Sequence, residues 1–242
     1  MVKFVLIHGA WHGAWCWDRV IPLLKSKGHE VEAIDLPGSG EDKTPIPQIT
    51  LETYTEKVCR VLDAQTEPVI LVGHSLGGIT ITQAAEYRPQ KIETLVYLTA
   101  FLLRNGQSRI SVRNQDLESL APRNTLYSED QTYMIFRKEA AREVFYADCS
   151  DEDIGRAKSL MCSQALAPLR MPMHITEENF GRIPRVYIEC LQDRAISPSM
   201  QKRMYTATRC QKIFSLNTSH SPFFSVPDVL AANLASIANK AR

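Results

Sequence analysis

The residue with the strongest claim to chemistry is Ser75, centred in Gly73-His74-Ser75-Leu76-Gly77 with Gly78 directly after it. A G-x-S-x-G pattern carries meaning where a strand enters it and a helix leaves it, because the sharp turn then presents the hydroxyl at its tip. The strand is 68–72 (PVILV), a short apolar run rich in β-branched residues, and helical spacing starts at Leu76. Glycines two before and two after the serine let strand and helix pass closely. A serine hydroxyl is a weak nucleophile unless a base takes its proton, and that base is commonly a histidine oriented by a carboxylate.

Six histidines compete for the role. His8 and His12 lie in the first loop, His29 near a strand start, His74 beside the serine with its side chain directed elsewhere, and His174 in the long middle segment. His220, in Asn217-Thr218-Ser219-His220-Ser221-Pro222, follows the last strand and precedes the last helix, which makes it the favoured base. The carboxylate should lie between serine and histidine in the chain, on a loop after a strand. Asp193 meets both conditions, Glu189 inside the strand is the runner-up, and Asp148, Asp151 and Asp153 belong to the middle segment. Oxyanion donors in such a site are backbone N–H groups, one after the nucleophile and one from the first loop, here Leu76 and Ala10. The histidines and cysteines show no metal-ligand spacing, so no metal is expected.

Strands at 3–8, 31–34, 68–72 and 94–99 alternate with helices at 17–27, 51–65 and 76 onward. Gly28 suits a C-cap and Thr50 an N-cap. Strict alternation implies an α/β fold with a parallel sheet, right-handed crossovers and ligands at the carboxyl ends of the strands. Alternation lapses from 101 to 182, where helical patterns at 137–147 and 151–162 are evident and no strand is. It resumes with strands 185–190 and 212–216 and helices 198–208 and 227–240. The expected organisation is one domain, 1–242, with a core of 1–100 and 183–242 and a helical cap insertion of 101–182. Tyr127, Tyr133, Met134, Phe136, Phe145, Tyr146 and Met161 stand in that cap; aromatics and methionines at helical spacing are mostly a cap's own core, so a minority should line a pocket.

Lys plus Arg is 28 against 27 for Asp plus Glu, a net charge of +1, which argues for no nucleic acid and no anionic surface as partner. No apolar run approaches a membrane span. A first strand entered at Lys3 leaves no room for a signal peptide, and the six cysteines read as reduced thiols, so the expected location is cytoplasmic. The residues leave oligomeric state open, a homodimer included.

Together KFVLIHGAWHGAWCW, LVGHSLGG, RVYIECLQD and the SH of SLNTSH resemble the α/β-hydrolase superfamily, in the small branch of plant methylesterases, hydroxynitrile lyases and carboxylesterases such as pyrethroid hydrolases. The resemblance implies a mostly parallel six-stranded sheet, the triad Ser75, Asp193 and His220, an acyl-enzyme mechanism on a small or medium apolar or aromatic ester, and no cofactor. It also implies that Trp11, Leu76, Phe101 and Ile196 face the substrate. The lyases of this branch carry threonine where this chain has Gly9 and lysine where it has Ser221, so hydrolysis is expected over cyanohydrin cleavage. A non-catalytic ligand receptor is the remaining alternative, opposed by an intact triad.

Overall fold

The computed structural model describes residues 1–238. Among them, six strands form an all-parallel sheet in the order β2-β1-β3-β4-β8-β9: β1 (Lys3–Ile7), β2 (Glu30–Ile34), β3 (Val69–His74), β4 (Ile92–Leu98), β8 (Arg185–Cys190) and β9 (Lys212–Leu216). β3 is buried at every position, as its unbroken apolar run requires, and β2 and β9 take the half-exposed edges. The sheet reverses direction at β1: the chain steps left to β2 and then right to β3. Right-handed crossovers therefore put α1 (Val20–Ser26) on one face and α2 (Leu51–Asp63) on the other. α1 packs on α9 (Pro227–Ala238), and α2 on α3 (Gly77–Tyr87).

Helix boundaries follow local chemistry. Thr50 Oγ1 accepts from the Thr53 N–H at 3.2 Å to start α2, and Gly28 adopts φ 82° just past α1. The expected helix over 17–27 is interrupted, with a 3₁₀ turn at Ala14–Trp17 before α1. Lys240, the expected end of the last helix, lies outside the described residues.

The segment between β4 and β8 departs from the all-helical expectation. It holds a three-stranded antiparallel sheet of β5 (Thr125–Tyr127), β6 (Tyr133–Phe136) and β7 (Gln164–Ala165). Around it lie α4 (Ala141–Phe145), α5 (Asp151–Leu160), capped by Ser150 as expected, and α6 (Ala167–Arg170). The helix expected over 137–147 shrinks to a 3₁₀ turn and α4, and Tyr146 leaves it to bond His12 from 2.6 Å. Arg19, just before α1, pairs with the buried Asp153 at 2.6 Å, tying α5 to the start of α1. α7 (Pro198–Ala207) joins β8 to β9, and α8 (Pro222–Ser225) follows the last loop.

Candidate active site

The carboxyl ends of β1, β3, β8 and β9 converge, and they carry the first loop, Ser75, Asp193 and His220 in turn. This is where a parallel sheet gathers ligands, beside the strand at which the chain reverses direction. Strain gathers there too. Ser75 sits at φ 52°, Trp11 at φ 62° and Thr99 at φ 35°, all left-handed values that side chains rarely adopt. Ser75 is pinned by its backbone: its N–H donates to Leu98 O at 3.2 Å, and its carbonyl accepts from Gly78 and Phe101 at 3.1 and 3.0 Å. A Cβ at Gly73 would lie 2.9 Å from the Gly77 carbonyl carbon, and one at Gly78 would meet Phe101 O at 2.4 Å. Close passage of backbone on both sides of Ser75 thus requires the motif's glycines.

Asp193 and His220 are joined. Both are almost fully buried, and His220 Nδ1–H donates to Asp193 Oδ2 at 2.6 Å. That bond assigns the proton to Nδ1 and leaves Nε2 an acceptor. Asp193 Oδ2 also accepts from Thr99 Oγ1, while Oδ1 accepts from the N–H groups of Ala195 and Ile196 at 2.6 and 3.0 Å. A buried carboxylate held by four donors is fixed in place. Glu189, the alternative, points away and accepts from Tyr205 and Ser215 instead. Asp148, from the middle segment, accepts from Ser219 N at 3.0 Å and from Ser219 Oγ, bracing the loop one residue before His220. Ser75 Oγ makes no hydrogen bond to His220 among the described residues; the two loops meet instead through His74, whose Nε2–H donates to His220 O at 2.9 Å.

The histidines that sequence reasoning set aside have positions of their own. His8 Nδ1–H donates to Gly9 O at 2.8 Å while Nε2 accepts from Leu36 N at 3.0 Å. His12 Nδ1–H donates to Ala10 O at 2.7 Å while Nε2 accepts from the Tyr146 hydroxyl. Two successive carbonyls of the first loop are therefore held by imidazoles. Among the described residues the N–H of Ala10 and that of Leu76 have no protein acceptor. Burial keeps all three rings neutral: it lowers His8, takes His12 to about 3, and drives His74 well below the ordinary value, with His220 and His12 adding to the last. Nothing in a G-A-W-H spacing announces this, because the bonds depend on how the loop folds back on itself.

Ala10, Ser75 and Leu76 open onto a narrow cavity of about 60 Å³. Trp11, Phe101 and Ile196 line it, as do Tyr127, Met134 and Phe145 from the middle segment. The other aromatics and methionines of that segment do not: Tyr146 is core, and Phe136 and Met161 lie at a separate surface hollow. Two cationic residues that sequence reasoning missed, Arg109 and Arg113, also line the cavity. Among the described residues no cluster of side chains could hold a metal ion, and no helix is long and apolar enough to cross a membrane.

The model of the alpha/beta hydrolase family matches residues 4–233. The chain belongs to that family. Methylesterase 2 of Arabidopsis thaliana is 34% identical to it over 251 residues, 98% of this chain and 95% of the relative. Salicylic acid-binding protein 2 of Nicotiana tabacum is also 34% identical, over 98% and 97%. Two longer chloroplastic relatives from Arabidopsis thaliana match at 33% and 34%, and the chain spans 56% of the length of each. Among solved structures, a pyrethroid hydrolase from Sphingobium faniae superposes with a TM-score of 0.89 at 31% identity, covering 98% of this chain and 97% of that one. The methylesterase MES16 from Arabidopsis superposes at 0.87 with 25% identity and 99% coverage of both. The chain therefore falls in the branch of the family, with methylesterases and pyrethroid hydrolases, that its motifs resemble.

Proposed function

We propose that this hydrolase is a serine carboxylesterase acting on small to medium esters with an apolar body. The observation that carries the reading is the buried 2.6 Å pair of His220 and Asp193, set beside a serine at φ 52° whose cavity is fringed by two unengaged N–H groups. Ser75 Oγ turns onto His220 Nε2, loses its proton to it and attacks the ester carbonyl. Negative charge moves onto the carbonyl oxygen, where the N–H groups of Ala10 and Leu76 receive it without reorganising. Asp193 stabilises the imidazolium. Collapse expels the alcohol, which takes the proton from His220, and water repeats the cycle on the acyl-enzyme. The residues between β4 and β8 form the cap, and their apolar side chains exclude water from these steps. The methylesterase and pyrethroid-hydrolase relatives support an ester as substrate.

Cyanohydrin cleavage fits less well. A Cβ at Gly9 would stand 2.7 Å from Ser75 Cβ, so the position has no room for threonine, and Ser221 after His220 offers no cation to a departing cyanide. The test is labelling of Ser75 by a fluorophosphonate probe, with p-nitrophenyl acetate turnover falling by about 10⁴–10⁶ in kcat in Ser75→Ala. Equal labelling of that variant, or cyanide release from mandelonitrile without ester turnover, overturns the assignment.

A further inference from the structure

The cavity above Ser75 is mostly apolar, and its lining carries two guanidinium groups. Arg109 lies with its guanidinium carbon 4.4 Å from the centroid of the Phe101 ring, and Arg113 lies over Tyr127 at 5.4 Å. Phe101 is itself bonded through its N–H to Ser75 O, so the Arg109 charge sits one ring away from the backbone of the candidate nucleophile. Neither guanidinium has a hydrogen bond or a carboxylate at ion-pair distance among the described residues. Arg156, Arg142 and Arg194, by contrast, all meet acids on the surface.

Burial, and next the like charge of Arg113, bring Arg109 down to about 10, while Asp116 and Tyr127 act more weakly the other way. The Asp116 carboxylate is engaged elsewhere, accepting from Ser197 N at 2.9 Å, and its other oxygen has no partner. Two cations that repel each other in a largely apolar cleft, with Asp116 acting only weakly on Arg109 and no carboxylate at ion-pair distance, are costly unless something else supplies the charge. Planar guanidinium forks with free N–H donors fit a carboxylate.

Resting on the carboxylesterase reading, we propose that the preferred substrate is an ester carrying a free carboxylate on an apolar spacer: the ester group reaches Ser75 while the carboxylate is received by Arg109 and Arg113. Tyr127 and Ile110 line the cavity and are also exposed to solvent. The apolar walls take the spacer, and the two charges select its far end.

Matched ester pairs test this. Monomethyl adipate is compared with methyl hexanoate, and 6-acetoxyhexanoate with hexyl acetate, so that the charge lies on the acyl side in one pair and the alcohol side in the other. At least one pair should favour the anion in kcat/KM by about tenfold or more, chiefly through KM, with the advantage shrinking in high salt. Arg109→Met and Arg113→Met should each cut that ratio by roughly 10- to 100-fold, and Arg109→Lys by less. A ratio at or below one in both pairs, or one that the Met variants leave alone, overturns the proposal. Adipate titrated calorimetrically into Ser75→Ala separates the two readings. Binding that is lost in Ser75→Ala/Arg109→Met upholds the carboxylate site even if no ester is hydrolysed; absence of binding by Ser75→Ala overturns it even if esters are.

Discussion

Gly9→Ala adds one methyl group at the most crowded contact between the first loop and the nucleophile turn. Its Cβ would stand 2.7 Å from Ser75 Cβ and 3.0 Å from His74 Nδ1. Carbon atoms rest at about 3.5–4.0 Å, so one side must retreat by about 1 Å. The Ser75 side is the stiffer, tied by backbone hydrogen bonds to Leu98, Gly78 and Phe101. The first loop is tied through the His8 imidazole to Gly9 O and the His12 imidazole to Ala10 O, side-chain tethers that can tilt. The loop therefore yields, and the Ala10 N–H moves with it. A displacement of about 1 Å in a group that stabilises the transition state costs on the order of 10²-fold in rate. Because the proposed oxyanion donor acts on charge present only in the transition state, kcat should fall and KM stay nearly constant. Overpacking should separately cost about 1–3 kcal/mol of stability, roughly 3–10 °C in Tm for a chain of this size. The assay is p-nitrophenyl acetate turnover normalised to active sites titrated with a fluorophosphonate, alongside a thermal melt. A folded Gly9→Ala enzyme with wild-type kcat per titrated site would refute both the tight contact and the role of Ala10.

The remaining expectations concern the carboxylate, the buried histidines and the cap. Asp193→Asn should lower kcat by about 10⁴-fold by misdirecting the His220 tautomer, whereas Glu189→Gln, whose partners are Tyr205 and Ser215, should stay near wild type in the same assay. His8, His12 and His74 have folded values below the unfolded one, so the unfolded chain binds more protons as pH falls. Their contribution is complete above about pH 6.5 and is lost on acidification, by about 1 kcal/mol per pH unit below 6 for each of His12 and His74, with His8 acting in the same direction; urea midpoints that stay flat from pH 7 to 5 would contradict it. Met134→Ala, in the cavity wall, should change kcat/KM ratios between short- and long-chain esters by roughly tenfold or more, while Met161→Ala, at the separate hollow, should leave the ratios as they are.

What could be read from residues alone, and what could not, divides along one physical line. The parallel sheet was legible because β1, β3, β4 and β8 each carry a short, mostly apolar run between turn residues, as buried strands of a parallel sheet do. The positions of Ser75, Asp193 and His220 were legible because each follows a strand directly, so topology alone delivers them to one edge of the sheet. Between β4 and β8 that logic fails. β5, β6 and β7 have three, four and two residues, too few for a period-two pattern to emerge. The helix over 137–147 is cut short because Tyr146 and Asp148 are drawn to His12 and Ser219, partners 134 and 71 residues away that no local window contains. His8, His12 and His74 were set aside as failed bases, yet they bond the loop backbones around the serine, in geometry that residue spacing does not encode.

Arg109 and Arg113 were lost for the same reason as the short strands. Four residues apart, they would share a face of a regular helix and be read as a solvated pair. Instead the backbone there runs through turns, with only a 3₁₀ turn at Arg113–Gln115, and both guanidiniums fold inward onto aromatic rings. The proposed chemistry hangs on strand ends and so follows from topology. The proposed substrate choice hangs on an irregular segment whose side chains are placed by tertiary contact, which is why the residues proposed to select a carboxylate carry no motif.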